Sequence, residues 1–282
     1  MNDKPSSLLP QSESFGTLQG VSRTLLIPLY ARGFAAKLLP KLSFQDNYAK
    51  QLVESAALPM SEVSRDRFPM RLCIARTFVL DRALSTLLST DSPRNVVLFA
   101  CGLDTMPLRL QQYSSRWICG DLEPVMELRE TLLPEASDRK HQVLRLPQDI
   151  DSLASVLHTS RPVLVLEGIL PYLPPEDVEQ CFQSLAELCP LGADILVDSY
   201  HPHLLSFAEM GATFKRMKTG FKFGLKHPRL YENFGPSIRY VEHWDLLRLM
   251  PWYVRKRCWL PWLSAGGGPL ATITRLEVVP SA

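Results

Sequence analysis

Asn95-Val-Val-Leu-Phe-Ala-Cys-Gly-Leu-Asp-Thr105 is the stretch on which the reading of this chain turns. The run from Asn95 to Ala100 is short, apolar and carries two β-branched residues, and it breaks at Cys101-Gly102 into a turn bearing Asp104. Such a run suits a parallel strand covered on both faces, and the turn that follows it is where an open α/β sheet binds nucleotides. A dinucleotide fingerprint would place three glycines here, but Gly102 stands alone.

Outward from this strand, segments of strand and helix character alternate. Trp117–Gly120, Gln142–Leu146, Pro162–Glu167 and Ala193–Asp198 read as further strands, with helices near Pro124–Leu133, Asp151–His158 and Pro175–Cys189. Strict alternation implies a mostly parallel sheet with helices on both faces, an α/β fold. Upstream, apolar residues recur at helical spacing from Thr17 to about Thr90, which predicts an N-terminal helical cap interrupted at Pro59 and Pro69. Residues 1–16 are expected to be a mobile tail, 17–93 the cap and 94–199 the cofactor-binding core. A substrate-side insertion is expected over 200–245 and a C-terminal sheet hairpin over 246–282, all in one domain.

Composition narrows the function. The chain has 282 residues, 46% hydrophobic and 21% charged, enough for one large core. With 31 basic and 29 acidic residues the net charge is +2, so no global field favours nucleic acid. The start lacks the basic and apolar regions of a secretory signal, and no apolar run reaches membrane-span length, so a cytoplasmic location is expected. Six cysteines are scattered without a C-x-x-C pair, so neither a zinc site nor a disulfide framework is expected, and no metal is called for.

The strand ends share one chemistry. They deliver Gly102 and Asp104, then Asp121, Asp149, Glu167, and finally Asp198 to His201. Carboxylates accept hydrogen bonds from a ribose diol or an amino group and repel phosphates. The expected ligand is therefore a nucleoside with a cationic tail and no pyrophosphate, a description that S-adenosylmethionine meets. The absence of G-x-x-x-x-G-K-[ST] argues against nucleoside triphosphates.

Four segments in order carry a family resemblance: Gly20-Val-Ser-Arg-Thr-Leu-Leu-Ile-Pro-Leu-Tyr-Ala-Arg32, Leu98-Phe-Ala-Cys-Gly-Leu-Asp-Thr105 with Arg109-Leu110, Trp117 to Arg129, and Glu167-Gly-Ile-Leu-Pro-Tyr-Leu173. The chain resembles the leucine carboxyl methyltransferase family, in its polyketide (tetracenomycin-type) O-methyltransferase-like branch. The resemblance implies a class I, Rossmann-like methyltransferase fold with a seven-stranded sheet, and S-adenosylmethionine as cofactor. It also implies roles: Arg76 at the cofactor carboxylate, Gly102 lining the cofactor turn, Asp121 at the ribose, Asp149 by the adenine and Glu167 at the methionine amino group. The family usually writes the turn Gly-Ala-Gly-Leu-Asp-Thr-Arg and ends its second strand Glu-Leu-Asp. This chain has Ala100, Cys101 and Met106 in the turn and Cys119-Gly-Asp in the strand.

Two residues have competing readings. Asp104 either meets the cofactor or caps a helix beginning near Met106, and Arg76 either meets the cofactor or pairs with Asp81 or another acid. Tyr200 and His201 are the catalytic candidates, since a histidine there suits deprotonation of an acceptor hydroxyl, whereas a carboxylate acceptor needs no base. Tyr30, Tyr172 and His203 are expected on the substrate side. Trp252-Tyr-Val-Arg-Lys-Arg-Cys-Trp-Leu-Pro-Trp262 mixes three tryptophans with three consecutive cations. It suits an anionic membrane, an acyl carrier protein or another subunit, or else packing on the sheet with its cations outward.

The resulting expectation is an O-methyltransferase acting on a small-molecule hydroxyl or carboxylate of natural-product metabolism. A protein carboxyl terminus is the alternative acceptor. A non-catalytic regulatory or partner subunit with an altered cofactor turn is the alternative of another class, and a protein partner or a homo-oligomer is a separate expectation.

Overall fold

The computed structural model describes residues 25–55, 67–91, 94–133, 135–211 and 220–280. The expected tail, the start of the cap and Gly20 to Thr24 of the first family segment lie outside the described residues.

Seven strands form one sheet in the order β3-β2-β1-β4-β5-β7-β6. They are β1 (Asn95–Phe99), β2 (Arg116–Asp121), β3 (Arg139–Val143), β4 (Val163–Leu166), β5 (Ala193–Tyr200), β6 (Ile238–Asp245) and β7 (Ala271–Val278). β1 to β5 are parallel, while β7 enters antiparallel between β5 and β6. Strand order reverses between β1 and β4, so a crevice opens at their carboxyl ends. β4 and β5 are buried along their whole length, as expected of strands covered on both sides.

One face of the sheet carries α1 (Leu26–Gly33), α2 (Asn47–Ser55), the long α3 (Arg67–Thr90) and α4 (Glu123–Leu132), joined in a single apolar cluster with alternate residues of β1, β2 and β4. The other carries α5 (Pro175–Leu188), whose Val178, Cys181, Phe182 and Leu185 repeat at helical spacing and pack on the opposite side chains of the same strands. Beyond β5 lie α6 (Pro202–Glu209), α7 (Trp252–Arg257) and α8 (Trp259–Ser264).

Two strands and one proline depart most from the sequence expectation. β3 spans Arg139–Val143 rather than Gln142–Leu146, and β6 lies at Ile238–Asp245, inside the stretch read as insertion, so the terminal hairpin begins before residue 246. Both are edge strands with polar, half-exposed residues, and a search for apolar runs passes over them. Pro69 does not break a helix. It sits in the first turn of α3, where a proline removes no hydrogen bond that the helix would otherwise make.

Candidate functional site

A cavity of about 350 Å³ opens at the carboxyl ends of β1, β2 and β4, within the size range of small-molecule sites. Its floor is the turn after β1. Ala100 and Gly102 both adopt left-handed backbone, at φ 50 and 49. The two reversals swing the chain away from the sheet, while Cys101 stays attached through its N–H to Gly120 O at 3.0 Å. Gly102 takes this conformation at no steric cost, but an alanine there is strained. The family glycine replaced by Ala100 thus stands at a position of positive φ.

Asp121 ends β2 and braces the turn. Its carboxylate accepts from the N–H groups of Gly102 at 2.8 Å and Leu122 at 2.7 Å. From α4, buried Arg129 donates through Nη1 to the carbonyls of Gly102 at 2.9 Å and Asp104 at 2.8 Å. Its Nη2 donates to Cys119 Sγ at 3.5 Å. The neighbouring Cys101 thiol and Arg129 draw the Cys119 thiol down to about 7 despite burial. For Asp121, burial outweighs the two N–H donors and raises the carboxyl above its usual range.

Glu167 follows β4 on the opposite wall. Arg76, reaching across from α3, donates through Nε to Glu167 Oε1 at 2.7 Å and through Nη1 to Asp198 Oδ2 at 2.9 Å and Tyr200 OH at 3.1 Å. Tyr200 OH in turn donates to Asp198 Oδ2 at 2.8 Å. Gly168, at φ +70, lets the guanidinium approach, since a Cβ there would stand 3.1 Å from Arg76 Nη1. Burial raises the Glu167 carboxyl, and Arg76 offsets this only in part. Burial also raises the Tyr200 hydroxyl well above its usual value.

Asp104 and Arg76 both make the structural contacts of the competing reading and both line the cavity: Arg76 pairs with Glu167 and Asp198. Asp104 Oδ1 accepts from Met106 N at 2.6 Å and from Arg109 at 3.0 Å, and Oδ2 pairs with Arg32 at 3.1 Å, yet the residue also lines the cavity. Burial alone would raise its carboxyl, but Arg109 and Arg32 hold it well below the usual range. Asp81 is the bidentate partner of Arg109, not of Arg76.

A second cavity, of about 110 Å³, adjoins the first and shares Pro28, Arg76, Gly168 and Tyr172 with it. Its lining is mostly apolar, with Phe68, Leu72, Leu204 and Phe221 around Tyr172, and Tyr200 at its polar end.

Four expected site residues lie elsewhere. Asp149 lines neither cavity, because its carboxylate accepts from Arg145 N at 2.7 Å and closes its own loop. His201 is buried as the N-cap of α6, its Nδ1 accepting from His203 N at 3.2 Å, and burial lowers its pKa. His203 is exposed beside it, with ring centroids 4.9 Å apart. Tyr30 is fully buried in the apolar cluster and stacked near Phe34 at 6.3 Å. Sequence reasoning missed Arg32, Leu122, Leu144 and Arg145, all of which line the larger cavity. Arg32 and Leu122 had a signal, as residues of the first and third family segments, and Leu144 and Arg145 fell within the expected third strand. Among the described residues no cluster of His, Cys, Asp and Glu is arranged to hold a metal ion.

The larger cavity fits S-adenosylmethionine. Half-buried carboxyls at Asp121 and Glu167 present acceptors for hydroxyl and amino groups, and no phosphate-binding loop is built among the described residues. Comparison with known proteins agrees. The chain is 28% identical to a tetracenomycin polyketide synthesis O-methyltransferase of Streptomyces glaucescens over 88% of this chain and 91% of that one. It is 29% identical to an S-adenosyl-L-methionine-dependent methyltransferase of Gibberella zeae, over 82% and 84% of the two chains. Among solved structures, the fold is similar to a SAM-dependent methyltransferase from Anabaena variabilis (TM-score 0.51, 15% identity, 73% and 85% coverage) and a DUF574 family protein from Streptomyces avermitilis (TM-score 0.55, 15%, 89% and 97%). The leucine carboxyl methyltransferase model matches residues 26–186. A nucleoside-sized crevice with acids at two strand ends is thus what the matched segment builds, and the chain belongs to the leucine carboxyl methyltransferase family of SAM-dependent methyltransferases.

Proposed function

We propose that the protein methylates an oxygen of a small, largely apolar acceptor, of the polyketide type that the Streptomyces relative's name describes. The observation that carries this reading is the apolar cavity abutting the cofactor cavity and sharing four wall residues with it. S-adenosylmethionine supplies an electrophilic methyl group when bound. Asp121 would receive the ribose hydroxyls, Glu167 the amino group, and Arg76 or Arg32 the carboxylate. Tyr172, on the wall of both cavities, would align acceptor and donor.

Tyr200 is not the base: burial keeps its hydroxyl protonated, its one proton goes to Asp198 and its oxygen accepts from Arg76, so it positions these two groups at the end of the apolar cavity. No histidine lines either cavity among the described residues. Rate enhancement then rests on alignment and exclusion of water, which together are worth several orders of magnitude. The test is calorimetric titration with S-adenosylmethionine and S-adenosylhomocysteine, followed by a methyl-transfer screen of phenols, carboxylic acids and a peptide with a free carboxyl terminus. Tight binding with transfer to an aromatic small molecule is expected. Binding with transfer to the peptide alone overturns the acceptor assignment, and absence of cofactor binding by folded protein overturns the enzyme reading.

A further inference from the structure

The tryptophan-rich segment does not pack its rings against the sheet. Val254, Cys258 and Pro261, at helical spacing, are the inward anchors of α7 and α8. The other large side chains face solvent: Trp252 is 67% exposed and Leu260 58%, with Tyr253, Trp259, Trp262 and Leu263 each close to half exposed or more. Arg255, Lys256 and Arg257 are exposed among them and make no ion pair with any described residue. From Leu246 to Leu276 the sequence contains no Asp or Glu, so nothing within the segment neutralises them.

We propose that this face docks on an anionic lipid surface. Aromatic side chains with one apolar and one wet edge favour the headgroup boundary, and unpaired cations among them match its negative potential. A protein partner is the other occupant that the aromatics and arginines suit, but three consecutive exposed cations with no acid in the segment match an anionic surface better. The position of the face supplies a reason for docking. A surface groove lined by Tyr253, Val254 and Arg257 meets the apolar cavity at Phe68, Pro69 and Ala208, which line both. A lipid-dissolved acceptor would thus reach the apolar cavity from the docked side. That last link rests on the proposed function; lipid docking does not.

The test is sedimentation of the full chain with vesicles of phosphatidylcholine alone and of phosphatidylcholine mixed with phosphatidylserine. The comparison proteins are the triple variant Arg255→Gln, Lys256→Gln, Arg257→Gln and the double variant Trp259→Ser, Leu260→Ser. Circular dichroism and S-adenosylhomocysteine binding report on folding independently. Expected are salt-sensitive binding to the anionic vesicles only, a blue shift of tryptophan emission, and at least about a tenfold loss of affinity in either folded variant. Three results overturn the proposal: equal binding to both vesicles, no binding by a monomeric protein, or no binding together with a dimer that the Trp259→Ser, Leu260→Ser variant dissociates. The last would assign the face to a second copy of this chain. Methyl transfer is not read at any point, so a failed acceptor assignment leaves the result interpretable.

Discussion

Ala100 holds a left-handed conformation that costs an L-residue about 1–2 kcal/mol relative to glycine, offset in part by the greater chain entropy of an unfolded glycine. Ala100→Gly is therefore expected to stabilise the protein by about 1 kcal/mol in urea denaturation. A neutral or negative change would show that the alanine methyl makes compensating contacts. Glu167 poses the opposite problem, a carboxyl raised by burial beside a single guanidinium. A bound ammonium favours its ionised form, so affinity for S-adenosylmethionine should tighten as pH rises through the elevated pKa of this carboxyl. Glu167→Gln removes a charge-assisted contact, worth about 1.5–3 kcal/mol, and should weaken binding by roughly ten- to a hundredfold. It should also flatten the pH dependence, which calorimetry across pH reads directly.

At the scale of elements, a charge network joins apolar packing in tying the cap to the cofactor turn. Arg32 from α1, Asp46 ahead of α2, Asp81 from α3 and Arg109 after the turn converge with Asp104. Arg109 Nη1 reaches Asp46 at 3.1 Å, and Thr105 Oγ1 donates to Asp46 at 2.6 Å. Removing one member of a buried ion network strands its partners, at a cost of about 3–5 kcal/mol. Arg109→Met should therefore lower thermal stability by that amount and weaken cofactor binding with it.

The same network sets the acid limit. Asp104 titrates below the 3.8 of an unfolded aspartate, so on acidification the unfolded chain takes up its proton first. Its stabilisation is complete above about pH 4 and is lost as pH falls through the folded value, which acid titration of ellipticity would show. His201 belongs to this scale as well. As the cap of α6, its change to Ala should cost about 1 kcal/mol of stability and leave the turnover number nearly unchanged; a large loss of turnover would restore it as a base.

For the whole molecule, the two cavities lie between the sheet's carboxyl edge and the helical cap, so a ligand that binds there bridges both layers. Such a ligand stabilises only the folded state. At a hundred times its Kd, S-adenosylhomocysteine should add about 2.7 kcal/mol to unfolding, seen as a rise in Tm that saturates logarithmically. A flat Tm would show that the folded protein does not bind the nucleoside.

The apolar runs at β1, β4 and β5 and the acids that follow the first, second and fourth strands could be read directly from the sequence. A strand buried on both faces must be continuously apolar, and the residue after it must stand at the crevice. β3 and β6 could not be read this way, because an edge strand has one neighbour and keeps polar side chains. Local sequence likewise left the partners of each charge open. Arg76 and Asp81 lie five residues apart on one helix, off the i,i+3 and i,i+4 spacings of a pair, and the approach of β4, β5 and the turn after β1 sends Arg76 to Glu167 and Asp198 and Asp81 to Arg109. Asp149, His201 and Tyr30 follow the same rule. Chemistry and place in the chain are written in one dimension, but which polar atom lies within 3 Å of another depends on how distant segments pack.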